Sequence, residues 1–452
     1  MGSESVDRGV EGTVGVTPIQ ANFVLGMVTF AYAMAYVDRQ LLNLLVEPIK
    51  QSLAINDTQF SFIQGTAFVV SYLAAAPVFG RLVDVASRRA ILIFGVASWS
   101  VFTALSGFCS TFTELFVARL GVGVTEACIF PVAWSLIGDC FSPKRLPGAM
   151  SVFFLGPQLG GGFSLIAGGL IVASAASLTF GVPMLTALEP WQMAFVVVGV
   201  PGVLFALLLL AMVEPPRTRN PLAMGEERRL GFVESLTALR RHGQLYSRVY
   251  AANAMVAIVQ LAGPTWLPAF MMRVHGLSAT QTGLTLGIVS AVVAPIGALC
   301  GPVASAWLQR RGYIDAPLRA AAWCSVPMFL FSFLIPVVPS ATAALVVAAG
   351  VIFCCSFPVG LMSGSLQMAT SSQLRGIVAA IYTFVAQLIG YMVGPTLIAV
   401  LTDRYFQDPK MVGHSMQIVM SVAALFAGFF LFGVLPHFRT IVAKATADDK
   451  AG

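Results

Sequence analysis

The sequence predicts an all-α polytopic membrane protein, with twelve transmembrane helices in two pseudo-symmetric six-helix bundles. Three observations carry this reading. Charged residues make up 10% of the 452 positions and hydrophobic ones 57%, with a mean hydropathy of +0.84, whereas soluble domains are about 25% charged. Apolar stretches long enough to cross a bilayer as helices recur along the whole chain. Lys and Arg collect in alternate loops, the signature of a fixed orientation in a membrane.

The apolar stretches lie at 21–46, 59–80, 90–110, 112–136, 147–173, 191–213, 248–272, 279–308, 318–337, 340–366, 375–401 and 414–436. The longest polar stretch, 214–247, separates six spans from six. The organisation expected is a cytoplasmic tail at 1–20, an N-terminal bundle at 21–213, a cytoplasmic linker at 214–247, a C-terminal bundle at 248–437 and a second tail at 438–452. With both termini in the cytoplasm, the outer loops hold only Lys50, Arg273, Arg404 and Lys410. Arg39 and Arg119 lie within spans, and the other Lys and Arg residues all face inward. The expected location is therefore the cell membrane, multi-pass, with a bacterial inner membrane as the natural setting.

The halves repeat weakly. Asn56-Asp57-Thr58-Gln59 precedes the second span and Ser278-Ala279-Thr280-Gln281 the eighth, both with the form of helix N-caps. Gly80 and Gly301 occupy matching places in those spans, and the same register sets Asp38 and Arg39 against Val259 and Gln260. A duplicated unit of this kind fits two bundles that rock about a site at their interface. In the linker, Phe232, Leu236 and Leu239 recur at helical spacing among charged residues. An amphipathic helix on the inner leaflet and a merely solvated linker both remain open.

Composition also excludes function classes. The net charge of +6 is dispersed over short loops, so a nucleic-acid surface is not expected. The 7 cysteines include no CxxC pair and mostly sit in apolar runs, where they read as small core hydrophobes. His242, His275, His414 and His437 all fall near loops or span ends. No metal spacing, phosphate loop or His-Asp cluster is present, so neither a metal nor a cofactor is expected and the chain does not read as an enzyme.

The buried charges carry the chemistry. Asp38 and Arg39 in the first span, and Arg119 and Glu126 in the fourth, are the ionisable residues deep in the apolar stretches. Ionised groups in a bilayer are costly and usually functional. A purely structural ion network is the rival reading, but buried pairs are poor stabilisers against apolar replacements. Arg119 and Glu126 share a helix face yet lie about 10.5 Å apart along the axis, too far to pair closely. Asp38 and Arg119 fall at similar depth and are the expected pair. Arg39 is placed to reach inward toward Glu126, and Thr125 to hydrogen-bond it. Any proton taken up within the membrane falls to Glu126 or Asp38, while Arg39 and Arg119 suit an anionic substrate because a guanidinium donates two bonds to a carboxylate or phosphate. Glu47 and Glu114, near span ends, are expected to be wet. Gln64, Tyr72, Gln158, Gln260, Trp266, Gln367, Tyr382, Gln387 and Tyr391 are polar or amphipathic residues in spans, and none is singled out as a ligand.

After the second span the chain reads Gly80-Arg-Leu-Val-Asp84-Val-Ala-Ser-Arg88-Arg89. This resembles the loop signature of the major facilitator superfamily, G-x-L-x-D-x-x-x-R-R/K. The resemblance implies the major facilitator fold and a cytoplasmic conformational latch of Gly80, Asp84, Arg88 and Arg89. The glycine is expected to allow close helix approach. The counterpart at Gly301 keeps Arg310 and Arg311 but lacks the aspartate. Tyr36-Val-Asp38-Arg39-Gln, Trp99-Ser100, Arg119-Leu-Gly121-Val-Gly123-Val-Thr125-Glu126-Ala127 and Gly138-Asp139-Cys-Phe further resemble the spinster family, chiefly within the first 150 residues. Gly156-Pro157-Gln-Leu-Gly160-Gly161 is similar to the G-P-x-x-G-G motif of antiporter-type facilitators. A flexible, close-packed helix is its plainer reading.

The function expected is proton-coupled secondary transport, by alternating access, of an amphipathic organic anion such as a lysophospholipid or sphingoid phosphate. The alternative within the fold is a carrier of small organic acids or drugs. The alternative of another class is a non-transporting receptor or scaffold. The expected partners are the substrate, protons and the lipid bilayer, with the chain a monomer.

Overall fold

Helix formation follows from the same apolar stretches once backbone polar groups are denied water. The computed structural model describes residues 17–142, 145–174, 186–217, 239–240, 243–370 and 374–451. Among these residues every regular element is helical, and 12 helices are long and apolar enough to cross a membrane. The first six spans are Pro18–Leu44, Asp57–Val85, Arg88–Ser106, Phe112–Cys140, Gly148–Ser174 and Pro190–Ala211. The next six are Gly243–His275, Ala279–Arg310, Ala316–Leu334, Ala341–Met368, Ile377–Phe406 and Pro409–Ile441. Each overlaps the stretch expected from the sequence. His275 closes the seventh span, and His414 and His437 lie near the two ends of the twelfth. The expected N-terminal tail up to residue 16 and the linker pattern at Phe232 and Leu236 lie outside the described residues.

The repeated caps are real. Asn56 Oδ1 accepts from the Gln59 amide at 2.8 Å and Gln59 Oε1 accepts from the Asn56 amide at 3.0 Å. Ser278 and Gln281 form the same reciprocal box at the start of the eighth span, as do Thr111 and Glu114 at the start of the fourth. Each box satisfies two of the amide donors that a helix start leaves open.

Several spans depart from regular helix. The second carries a π-helical turn at Phe62–Ala67 and the eleventh another at Leu388–Val393; such turns recur at functional positions. The fourth breaks after Glu126 and resumes at Ile129. Glycine permits close packing where helices cross. A Cβ at Gly160 would lie 2.3 Å from the Ala33 carbonyl oxygen, and one at Gly156 would lie 2.6 Å from that of Thr29. The Gly-Pro motif of the fifth span therefore serves backbone contact with the first. At Gly80 a Cβ would meet nothing within 4 Å among the described residues, so the close approach expected there is not made by them. Its repeat partner Gly301 does make one, 2.4 Å from the Phe357 carbonyl oxygen.

Contacts divide the described residues into two compact units. The first falls within Met1–Arg39, Val70–Ser164 and Ser174–Glu227, and the second within Gln40–Val69, Leu165–Ala173 and Arg228–Gly452. The division cuts through the first, second and fifth spans.

Candidate functional site

Asp38 and Arg39 are consecutive on a helix, so their side chains leave it about 100° apart and meet different neighbours. Arg119 Nη1 donates to Asp38 Oδ2 at 2.8 Å. Thr103 of the third span donates its hydroxyl to the other oxygen, Asp38 Oδ1, at 2.9 Å. Arg39 donates to Glu126 Oε2 twice, from Nε at 2.8 Å and from Nη2 at 2.5 Å. All four charged residues are buried, Glu126 completely. The guanidinium of Arg39 also lies 5.2 Å from the centre of the Tyr36 ring and 5.7 Å from that of Tyr72, within the range of cation–π attraction.

Helix geometry explains the pairing. Side chains lean toward the N-terminus of their own helix. Arg39 therefore leans back toward the start of the first span and reaches Glu126, about two turns beyond Arg119 in the fourth. Asp38 is too short for that reach and meets Arg119 at its own level. Two donor-rich arginines and two carboxylates thus form two pairs rather than one cluster.

The two pairs are not equivalent. Both oxygens of Asp38 accept a hydrogen bond. Glu126 Oε1 is buried and has no donor among the described residues, and Arg119 Nε has no acceptor. Thr125 does not supply the missing bond. Its hydroxyl donates to Gly121 O at 2.8 Å and to Val122 O at 3.2 Å, both in its own helix. A Thr inside a helix commonly bonds back in this way, which corrects the expected bond to Glu126.

Arg88, at the start of the third span, is buried and held on several sides within the first unit. It forms an ion pair with Asp139. It also donates from Nη1 to Ser135 Oγ at 3.1 Å and from its backbone amide to Glu214 Oε1 at 2.8 Å. Arg89 donates to Met212 O at 3.1 Å. Arg217 donates to the carbonyls of Val83, Asp84 and Ala86 and so caps the second span. Among the described residues no ion pair joins Asp84 to Arg88 or Arg89. The two arginines instead tie the start of the third span to the fourth and to the end of the sixth. Burial pushes the Glu214 carboxyl up, but bonds from the Ser87 hydroxyl and from Arg88 outweigh it and hold the group below the ordinary glutamate value.

A second charged cluster escaped sequence reasoning. In the second unit, Arg273 donates from Nη1 and Nη2 to the two oxygens of Asp57, each at 2.7 Å. Its Nε donates to Glu47 Oε1 at 2.6 Å. Asp57 also pairs with Lys50 and is fully buried. Asp403 of the eleventh span accepts from the Thr58 amide at 2.6 Å and from its hydroxyl at 2.7 Å. Glu47 is therefore engaged rather than simply wet, whereas Glu114 is exposed and acts as a cap. The signal available in the sequence was Arg273 as one of the few expected outer cations. Nothing along the chain joins it to residues more than 200 positions away. Thr103 was likewise missed, since threonine is common in membrane helices. Among the described residues no group of His, Cys, Asp and Glu is arranged to hold a metal ion.

This geometry has relatives. The sequence matches the family model described as Major Facilitator Superfamily over residues 28–395. An MFS-type efflux pump of Mycolicibacterium smegmatis is 25% identical over 418 residues, which cover 90% of each chain. The sphingosine-1-phosphate transporter SPNS2 of Xenopus tropicalis is 25% identical over 90% of this chain and 80% of its own length. The crystal structure of a bacterial homolog of the human lysosomal transporter Spinster, inward-facing and unoccupied, superposes with a TM-score of 0.77. That comparison covers 95% of this chain and 99% of the other at 21% identity, so it speaks to the fold. Twelve membrane helices, charges paired in the first and fourth spans and a family match over most of the chain converge: this protein belongs to the major facilitator superfamily, as a multi-pass membrane transporter with relatives of the spinster type.

Proposed function

We propose that the protein is a proton-coupled secondary transporter that moves an amphipathic organic anion, such as a lysophospholipid or sphingoid phosphate, by alternating access. The observation that carries the reading is Glu126 Oε1, a fully buried carboxylate oxygen with no donor among the described residues. A proton bound there neutralises Glu126 and weakens its hold on Arg39. The released guanidinium then offers its planar fork to an anionic head. Arg119, with Nε unengaged and Asp38 as its standing partner, lends a second positive group. Asp38 carries the charge balance of that pair. Proton uptake and anion binding are thereby linked through one ion pair.

The similarity to a sphingosine-1-phosphate transporter supports an amphipathic phosphate as the substrate class. The similarity to an efflux pump favours a second reading, a carrier of small organic acids or drugs on the same fold. In either case the chain works as a monomer, with both termini in the cytoplasm and Arg88, Arg89, Asp84 and Gly80 at the inner end as a latch. The test is uptake of radiolabelled lysophosphatidate into proteoliposomes under an imposed pH gradient. Accumulation that collapses with a protonophore is expected, and accumulation indifferent to the gradient excludes the coupling.

A further inference from the structure

The eighth span ends in a basic turn whose charge its neighbours do not balance. Arg310 closes the helix, Arg311 caps it, and Gly312 turns the backbone with a φ of +87°, a conformation that favours glycine. The Tyr313 amide then donates to Leu308 O at 3.2 Å. Two guanidinium groups lie over aromatic rings here. That of Arg311 is 3.7 Å from the centre of the Trp307 ring, and that of Arg319 is 4.3 Å from the centre of the Tyr313 ring. Buried Asp315 accepts from Arg319 Nη2 at 3.1 Å and from Arg439 Nε of the twelfth span at 2.8 Å. Arg310, Arg311, Arg319 and Arg439 thus have one carboxylate between them. Among the described residues neither Arg310 nor Arg311 forms an ion pair. All of these residues belong to the second unit.

The sequence repeat shows what is different about this turn. The register that sets Gly80 against Gly301 also sets Arg89 against Arg310. Arg89 is engaged by the Met212 carbonyl, and the adjacent Arg88 by Asp139 and Glu214. Arg310 and Arg311 are instead exposed, with their charge available to an anion from outside the chain. The surroundings select that anion. Leu299, Val303 and Trp307, spaced four apart and all exposed, form an apolar strip along the eighth span that leads to Arg311. An exposed apolar strip on a membrane span faces acyl chains, and Trp and Tyr at a span end sit at headgroup level. The arginines therefore stand at phosphate depth at the end of an acyl track, and a soluble anion would use the first but not the second. We propose that this end of the eighth span binds an anionic phospholipid of the surrounding bilayer. Its phosphate meets Arg310 and Arg311, and an acyl chain lies along Val303 and Leu299. Arg319 and Arg439 add positive potential beside it. The site shares no residue with the buried pairs of the first unit, so it stands or falls independently of the transport reading.

The test is native mass spectrometry of the purified full-length protein from micelles holding equal amounts of dioleoyl phosphatidylglycerol and dioleoyl phosphatidylcholine. Wild type is expected to retain the anionic lipid over the zwitterionic one by at least about tenfold, the effect of two arginines near a charged headgroup. The double variant Arg310→Gln, Arg311→Gln is expected to reduce that preference to less than about threefold. The charge-matched control Arg404→Gln, Lys410→Gln, which removes two exposed cations of the eleventh and twelfth spans, is expected to keep it. The single variant Arg311→Gln must show a smaller loss in the same direction, which covers the case that the double variant does not fold. Inorganic phosphate, added in excess over the lipid, is expected not to displace phosphatidylglycerol. A wild type that retains both lipids equally, or neither, overturns the inference. So does a preference that survives in the Arg310 and Arg311 variants, or one lost equally in the control, which would assign it to overall charge. Displacement by inorganic phosphate overturns it too and makes the turn a surface for free anions.

Discussion

Arg39 directs two nitrogens at one oxygen of Glu126, at 2.8 and 2.5 Å, and the other oxygen of that buried carboxylate has no donor among the described residues. A side-by-side fork would have occupied both oxygens. The one-sided contact leaves a place for a proton without first breaking the pair. Glu126→Gln fixes the neutral state. Gradient-driven accumulation is expected to fall to background in this variant, while exchange of labelled for unlabelled substrate continues. Proteoliposome assays with and without a pH gradient measure both, and full accumulation by the variant would remove Glu126 from the coupling.

Arg39 is expected to act through its fork as well as its charge. Arg39→Lys keeps the charge but loses the planar pair of donors, so anion affinity should fall roughly tenfold, the equivalent of about one charge-assisted hydrogen bond. Arg39→Ala should lower it further and also lower thermal stability, since removal of one partner of a buried pair costs about 3–5 kcal/mol. Binding of an uncharged analogue separates the two effects. An equal loss for the anion and the neutral analogue would assign Arg39 to the fold and not to the ligand.

The cluster at Arg273 predicts a graded series. Arg273→Lys can satisfy Asp57 or Glu47 but cannot reproduce the paired bonds to both Asp57 oxygens. Its melting temperature in detergent should fall by several degrees, and that of Arg273→Ala by more, because Asp57 is fully buried. Glu47→Gln should cost less, since Glu47 is only half-buried. A melting temperature of Arg273→Ala equal to that of wild type would show that Asp57 is accommodated by Lys50 alone.

Glu214, just beyond the sixth span, predicts a pH dependence with a defined sign. Its carboxyl is held below the ordinary glutamate value of about 4.3 in the folded protein. Its contribution to stability is therefore fully present above that value and is lost as pH falls through the lower, folded one. Thermal melts of wild type and Glu214→Gln should differ by a constant amount from pH 8 to pH 5 and converge below pH 4. A difference that persists unchanged into acid would place the effect in packing and not in ionisation. Arg88→Ala should destabilise far more than Asp84→Asn, because Arg88 is buried among Asp139, Ser135 and Glu214 whereas Asp84 contacts Arg217 through its backbone.

Much of the site was visible in the chain because a charge in an apolar run is conspicuous wherever it folds. Asp38, Arg39, Arg119 and Glu126 stand out on that ground alone, and depth along two antiparallel helices was enough to match Asp38 with Arg119. Residues of ordinary type carried no such mark. Thr103 and Gln64 resemble dozens of other polar residues in membrane helices, and only their neighbours distinguish them. Thr125 misled for the same reason: adjacency to Glu126 along the chain suggested a bond, but the hydroxyl finds its own helix carbonyls first.

The sequence by itself determined the number of spans, their caps, the family and the positions of the buried charges. These depend on local properties: apolar length against bilayer thickness, a polar side chain three residues before its partner, a charge where water is absent. The tertiary structure alone decided the partners. Arg273 meets Asp57 across 216 positions, and Arg88 turns to Asp139 and Glu214 instead of Asp84. Among the described residues, Glu126 and Gln64 each keep one oxygen without a donor. Hydrogen bonds are short and directional, so which donor reaches which acceptor is set by the packing of helices far apart in the chain, and periodicity within one helix does not encode it.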